Sequence, residues 1–237
     1  MIAENLVQVK YRISEAAKRS GRDPESVRLV VVTKQIEVGL IAEAKKASAV
    51  VFGENKVQEA REKIESLGHK GFEWHFIGHL QKNKVKYVFG LFDLIHSVDS
   101  AALAEAIHEK AVARDEVMPI LLQVNVSGEA SKFGIDPEAL PETIRAVAPL
   151  EGVQIRGLMT IPPYDPDPER SRTYYARLRE LRDACSGIET RVGVSLDELS
   201  MGMSGDYEVA VEEGATLVRV GTAIFGPRLS ERQGVVG

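Results

Sequence analysis

A single cysteine, Cys185, in 237 residues excludes an internal disulfide. A chain of this size without bridges fits a reducing compartment, and the cytoplasm is the expected location. Nowhere do about 18 uncharged apolar residues follow one another, which excludes a membrane-spanning helix. The amino terminus lacks the unbroken apolar centre of a secretory leader, because Glu4, Lys10, Arg12 and Glu15 interrupt it. Ile2, Leu6, Val9, Ile13 and Ala16 form a helical stripe there instead. An excess of positive charge is missing too: 30 Lys and Arg against 35 Asp and Glu leave a net charge of −5. The chain as a whole therefore offers nucleic acid no electrostatic attraction, although local anion sites are compatible with it. No composition break marks a second domain, and no exposed apolar motif demands a partner, so a monomer is expected.

Hydrophobic residues at 44% and charged ones at 27% describe an ordinary globular protein. Apolar strand-like runs alternate with amphipathic stretches to the end. The strand candidates are "RLVVVTK", "AVVFGEN", "EWHFIG", "DLIHSVD", "PILLQVNV", "VQIRGLMT", "LDELSMG" and "TLVRVGTAIFG". Helical periodicity falls between them at 39–46, 56–66, 101–113, 137–148, 169–184 and 206–213; in the second, Val57, Ala60 and Ile64 share a face. The third repeat is the thinnest, since "LQKNKVKYVFG" supplies barely two turns. Strand and helix in series predict a parallel sheet covered on both faces. Eight repeats in this length favour a single α/β domain closed as a (β/α)8 TIM barrel over an open doubly wound sheet. The expected layout is an amino-terminal helix over 1–20, a barrel over 27–226 and a tail over 227–237, with "TIPPYDPDPER" as a proline-rich loop inside the barrel.

In either architecture ligands sit at the carboxyl ends of the strands. Lys34 ends the first strand, behind Leu29, Val30, Val31, Val32 and Thr33. It reads either as a solvated strand terminus or as a desolvated amine with a covalent or acid-base role. Asn55, His75, Asn125 and Thr160 mark the ends of other strands, all expected to face one mouth. "LSMGMSGDYEVAVEEG" sets glycines and serines between a strand and a helix. That is an ordinary turn with Ser204 or Asp206 as N-cap, or a loop whose backbone N–H groups hold phosphate. Gly221 and Thr222 in the next loop favour phosphate, because the loops after strands seven and eight of such barrels are where phosphate sites recur. Arg219, two residues before Gly221, points to the same side. Its acceptor is either a carboxylate, with Glu198 and Glu208 as candidates, or a ring nitrogen of a cofactor such as pyridoxal phosphate.

The stretches "VVVTK", "FGENKVQE", "WHFIGHLQKNK" and "LSMGMSGDYEVAVEEGATLVRVGTAIFG", with "LMTIPP", resemble the YggS/PROSC family of pyridoxal phosphate homeostasis proteins from about Val27 to Gly226. The resemblance implies a barrel similar to the amino-terminal domain of alanine racemase, the fold-type III pyridoxal phosphate architecture. It implies that Lys34 carries pyridoxal 5′-phosphate covalently as an internal aldimine. Ser204, Gly221 and Thr222 match phosphate contacts, Arg219 the ring-nitrogen contact, and Asn55, His75 and Met201 positions lining the site. The implied role is buffering or delivery of the cofactor, with apo-enzymes as recipients and without strong turnover. Many members carry a second lysine and a proline just after the cofactor lysine; Gln35, Ile36 and Glu37 stand here, so a transfer role for that lysine is not implied.

Other readings carry less. His75 and His79 in "HFIGH" lack the flanking glutamate of a zincin helix, so no metal site is expected. Cys185 shares a helical face with Leu178 and Leu181 and reads as a buried small residue. Lys132 lies in the loop after strand five as a solvated lysine or an alternative amine. Tyr174 and Tyr175 read as packing residues. Two enzyme alternatives stand beside the binding protein: a small fold-type III amino-acid racemase, and a lysine-dependent aldolase acting on a sugar phosphate. A racemase needs acid-base groups on both faces of the substrate carbon, and Lys34 supplies one.

Overall fold

The computed structural model describes residues 1–129, 132–188 and 194–227; the tail assigned to 227–237 lies, beyond Pro227, outside the described residues. Eight parallel strands close into a barrel in sequence order, so the open-sheet alternative is excluded. They are β1 (Arg28–Val32), β2 (Val51–Glu54), β3 (Glu73–Phe76), β4 (Leu94–Val98), β5 (Met118–Gln123), β6 (Val153–Met159), β7 (Val194–Ser200) and β8 (Leu217–Val220). Closure is made by β1 pairing with β8, from Arg28 opposite Leu217 to Val31 opposite Val220. Around them lie α1 (Ile2–Arg19), α2 (Val38–Lys46), α3 (Val57–Leu67), α4 (Ala101–Val112), α5 (Leu140–Val147), α6 (Arg172–Cys185), α7 (Tyr207–Glu212) and α8 (Thr222–Phe225).

Strand alternation builds two cores. Val30, Val51, Leu94, Leu121, Met159 and Leu217 form a cluster of their own, one side chain from each of six strands. Their strand neighbours Val31, Phe52, Ile95, Ile120, Leu122, Leu158 and Val218 belong to the larger cluster shared with the helices. That division is the layered interior of a packed barrel, with the small cluster inside and the helix shell outside. Cys185 belongs to the outer core at 3% exposure, and Tyr175 is wholly buried there.

Two expected elements change. "LQKNKVKYVFG" forms only a short 3-10 segment at Lys82–Tyr87. Lys82 and Lys86, four apart, would repel on one α-helical face, and Val85 is the one buried residue to hold such a face. Strand eight stops at Val220 rather than running through "TAIFG", because Gly221 turns the chain (φ −124°, ψ −70°) and Thr222–Phe225 is helical. At the amino terminus α1 lies against α7, with Arg12 on Glu208 at 2.5 Å and Arg19 on Glu212 at 2.7 Å. No helix among the described residues is long and apolar enough to cross a membrane.

Candidate functional site

Period-two alternation along β1 sets Arg28, Val30, Val32 and Lys34 on one side of the strand. Val30 belongs to the inner cluster, while Val32 and Lys34 line a cavity at the strand ends. The turn carrying Lys34 is clamped from both sides. Lys63 Nζ donates to the Thr33 carbonyl at 2.6 Å and to Glu54 Oε1 at 2.7 Å and Glu59 Oε1 at 2.6 Å. The Thr33 hydroxyl donates to Glu54 Oε1 at 2.6 Å, and the Gln35 N–H to Glu59 Oε1 at 2.5 Å. Gln35 takes the left-handed φ of 60°, which a side chain adopts only when its surroundings impose it. Burial pushes the Glu54 carboxyl above its usual range, against the opposing pull of Lys63.

The cavity measures about 530 Å³, within the ordinary range of small-molecule sites. It brings together Lys34, Asn55, Ser204, Arg219, Gly221 and Thr222. Asn55 is seated by Gly78: a Cβ there would lie 2.2 Å from the Asn55 carbonyl oxygen, so only glycine allows the two loops to meet. Ser204 does not cap α7. Its Oγ accepts the N–H groups of Gly221 at 3.2 Å and Ala223 at 3.3 Å, joining the loops after β7 and β8. Asp206, at the start of α7, fixes the same loop by accepting from the Met203 N–H at 2.7 Å, Tyr175 OH at 2.7 Å and Ser171 Oγ at 3.0 Å. Burial, with Asp206 beside it, raises the Tyr175 phenol above its usual range, so it stays a donor. A Cβ on Gly205 would meet nothing within 4 Å, whereas one on Gly221 would crowd the Val32 carbonyl oxygen at 3.1 Å. The two loops thus form an open cradle drawn tight against the lysine strand, a shape that fits an anionic group.

Arg219 is 4% exposed and has no carboxylate partner among the described residues. Neither expected partner reaches it: Glu198 accepts from Thr216 Oγ1 at 2.5 Å, and Glu208 pairs with Arg12 and Arg19. Its guanidinium donates to Ser200 Oγ at 2.6 Å and to the Thr160 carbonyl at 2.9 Å. Burial pulls its pKa down to about 10, so it stays charged at neutral pH. A buried cation with no carboxylate in direct contact, only the Asp206 charge acting on it from across the same cavity, fits a ligand that brings acceptors.

Behind Arg219 a polar chain crosses the barrel. Ser200 Oγ meets His96 Nδ1 at 2.8 Å, His96 Nε2 meets His75 Nδ1 at 2.9 Å, and His75 Nε2 meets Glu73 Oε1 at 2.8 Å. Glu73 is held by Arg28 at 2.5 Å. The hydrogen bond from His75, then that from Arg28, hold the Glu73 carboxyl down at about 2, so it accepts. With both rings neutral, one set of directions satisfies every partner: Arg219 donates to Ser200, Ser200 to His96, His96 to His75 and His75 to Glu73. His75 therefore does not line the cavity as expected; it is wholly buried in the barrel and reaches the site only through this chain. Met201 is also displaced from the expected lining, packed in the outer core at 0% exposure. Asn125 donates to the Glu129 carbonyl at 3.0 Å and lies outside the lining as well. His79 takes a lining place, stacked on Phe133 at 3.8 Å between centroids.

Sequence reasoning missed His96, Ser200 and Lys63. A histidine inside the apolar run "DLIHSVD" was the one signal available for the first. Burial, reinforced by the nearby Arg219 charge, lowers the His96 pKa well below 6.5. The unfolded chain then binds a proton that the folded chain refuses, so stability from this group is full above about pH 6.5 and is lost as pH falls. The slope is up to about 1.4 kcal/mol per pH unit. A thermal melt series from pH 7.5 to 5 should show it, and His96→Gln should flatten it; equal slopes would remove His96 from the account.

Fold and site together define a closed barrel of the cofactor-binding racemase type, and residues 5–228 match the family described as alanine racemase, N-terminal domain. The pyridoxal phosphate homeostasis protein of Aquifex aeolicus (strain VF5) is 46% identical over 225 residues, covering 95% of this chain and 97% of that one. The protein of the same name from Escherichia coli (strain K12) is 44% identical over 230 residues, covering 96% and 97%. The chain belongs to this family, within its group of pyridoxal phosphate homeostasis proteins. PipY of Synechococcus elongatus PCC7942, solved with PLP bound, superposes with a TM-score of 0.80 at 38% identity, covering 95% of this chain and 100% of that one. An alanine racemase of Clostridium difficile 630 shares the fold at a TM-score of 0.74 and 15% identity, this chain covering 57% of its length.

Proposed function

We propose that this protein binds pyridoxal 5′-phosphate, covalently at Lys34, and buffers or delivers it in the cytoplasm without strong catalytic turnover. The observation that carries the proposal is one cavity joining Lys34, the buried Arg219 and the Ser204, Gly221 and Thr222 loops. When bound, the cofactor supplies an aldehyde, with which an amine condenses with loss of water, and a phosphate. Lys34 presents the amine from a turn held rigid by Lys63, Glu54 and Glu59. Ser204, Gly221 and Thr222 would hold the phosphate through the hydroxyl and backbone N–H groups of the cradle. Arg219, fixed by Ser200 and Thr160, would offer its remaining N–H groups to the ring nitrogen, and Asn55 borders the mouth. His75 acts at a distance, through His96 and Ser200. The names of the relatives and the cofactor in PipY support the reading.

A cationic arginine keeps a proton off the ring nitrogen, which weakens the cofactor as an electron sink and favours a carrier over a racemase. Tyr164 also lines the cavity, but it is 89% exposed and no hydrogen bond among the described residues orients it as a proton donor. Protein loaded with one equivalent of cofactor is expected to reactivate a pyridoxal phosphate-dependent apo-enzyme while racemising no amino acid at an ordinary enzyme rate. Steady racemisation would refute the carrier; cofactor that leaves no faster than by free dissociation would leave buffering and remove delivery.

A further inference from the structure

A second cavity of about 400 Å³ opens beside the first, sharing Asn55 and His79 with it. Two of the stretches that single out this sequence, "FGENKVQE" and "WHFIGHLQKNK", converge on it, contributing Asn55 to Gln58 and His79, Leu80, Gln81 and Lys84. None of its lining residues is acidic, although the chain as a whole carries a net charge of −5. Lys56, Arg61 and Lys84 supply cations, and Gln58 and Gln81 supply amides. None of the three cations has a carboxylate within ion-pair distance among the described residues. The acid that feels Lys56, Glu59, is taken up by Lys63 and the Gln35 N–H.

Two of these cations are also crowded by a further one, Lys86, which lies outside the lining. Arg61, Lys84 and Lys86 stand 5.3, 5.8 and 4.8 Å from the centroid of one ring, Tyr87. The ring face attracts each of them, but charges gathered within about a Debye length of 8–10 Å repel one another. An anion in the cavity removes that repulsion. The opening turn of α3, eleven residues long, borders the same cavity at Val57 and Gln58, and its N-cap Lys56 gives the free N–H groups no side-chain acceptor. Three cations, two amides and a helix start offer more donors than the two oxygens of a carboxylate use; they suit the three oxygens and double charge of phosphate.

We propose that this cavity is a second anion site, specific for a phosphate group, either free or carried by a small ester, next to the Lys34 mouth. It is argued from its own walls and stands whether or not Lys34 holds the cofactor. The test uses protein loaded with pyridoxal 5′-phosphate and reduced with borohydride, so that the Lys34 site is filled and cannot exchange. Titration with inorganic phosphate and, separately, with pyridoxine 5′-phosphate, which has no aldehyde, is followed by calorimetry and phosphorus NMR. One further equivalent is expected to bind, more weakly as salt rises, and at least tenfold more weakly in the double variant Arg61→Gln, Lys84→Gln. The absorbance of the reduced Lys34 adduct should be the same in that variant. Tighter binding of the ester assigns the site to a phosphate monoester, and equal binding assigns it to free phosphate. No further equivalent, or one that the double variant leaves unweakened, overturns the site. If the protein takes up no cofactor at all, the proposed function fails, and the same titrations on untreated protein still decide the anion site.

Discussion

Replacing Lys34 with alanine is expected to abolish covalent uptake of pyridoxal 5′-phosphate. Wild-type protein should take one equivalent, turn yellow, bleach with borohydride and gain the mass of one reduced cofactor. Lys34→Ala should stay colourless and gain no mass, and Lys34→Arg should do the same although it keeps the positive charge, because a guanidinium does not condense with an aldehyde under these conditions. The loss is complete rather than partial because the chemistry needs an amine at that point of the cavity, and among the described residues Lys34 is the lysine that lines it. Lys132 is a challenger: its Nζ lies 3.5 Å from the carbonyl of Ile161, itself a lining residue. A borohydride-fixed adduct that persists in Lys34→Ala and maps to Lys132 would move the attachment and sink the assignment.

The second large effect falls on stability. Lys63 is 5% exposed and Glu54 wholly buried, so Lys63→Ala leaves a carboxylate in the barrel wall without its counter-charge. Breaking a buried pair from one side costs about 3–5 kcal/mol. Glu54, already pushed up by burial, can take a proton and hold the cost near the lower end. For a domain of this size, each kcal/mol lowers Tm by about 2–4 °C, so a fall of roughly 6–12 °C is expected near neutral pH. The double variant Lys63→Met, Glu54→Leu removes both charges and should recover most of that loss. Because Lys63 also holds the Thr33 carbonyl, the single variant should take up cofactor more slowly even where it is folded. A Tm within 2 °C of wild type would show that the pair does not hold the lysine turn.

The amino-acid pattern carried the architecture further than it carried the site. Eight apolar runs with helical stripes between them gave the strand count, and the polar strand ends at Lys34, Asn55, Ser204, Gly221 and Thr222 do meet in one cavity. Local periodicity reaches that far because strand alternation and the direction of a parallel barrel fix which end of each strand shares the mouth. His75 shows where it stops. Placed at the mouth by its position on strand three, it lies inside the barrel, because the depth of an inward side chain depends on the stagger between strands, which no single strand encodes. Met201 fails for a related reason: the chain leaves β7 just before it, and its side chain turns to the helix shell.

The sequence by itself determined the class of fold and the family likeness and singled out Lys34 as the candidate amine, since each rests on residue type, local period or a contiguous motif. Only the tertiary structure decided what Arg219 faces and what holds Lys34. Ser200 and His96 come from strands three positions apart around the barrel, and Lys63 reaches back from α3 to the end of β1. Contacts of that kind exist only once the barrel is closed, because closure brings together side chains such as His96 and Ser200, 104 residues apart in the chain.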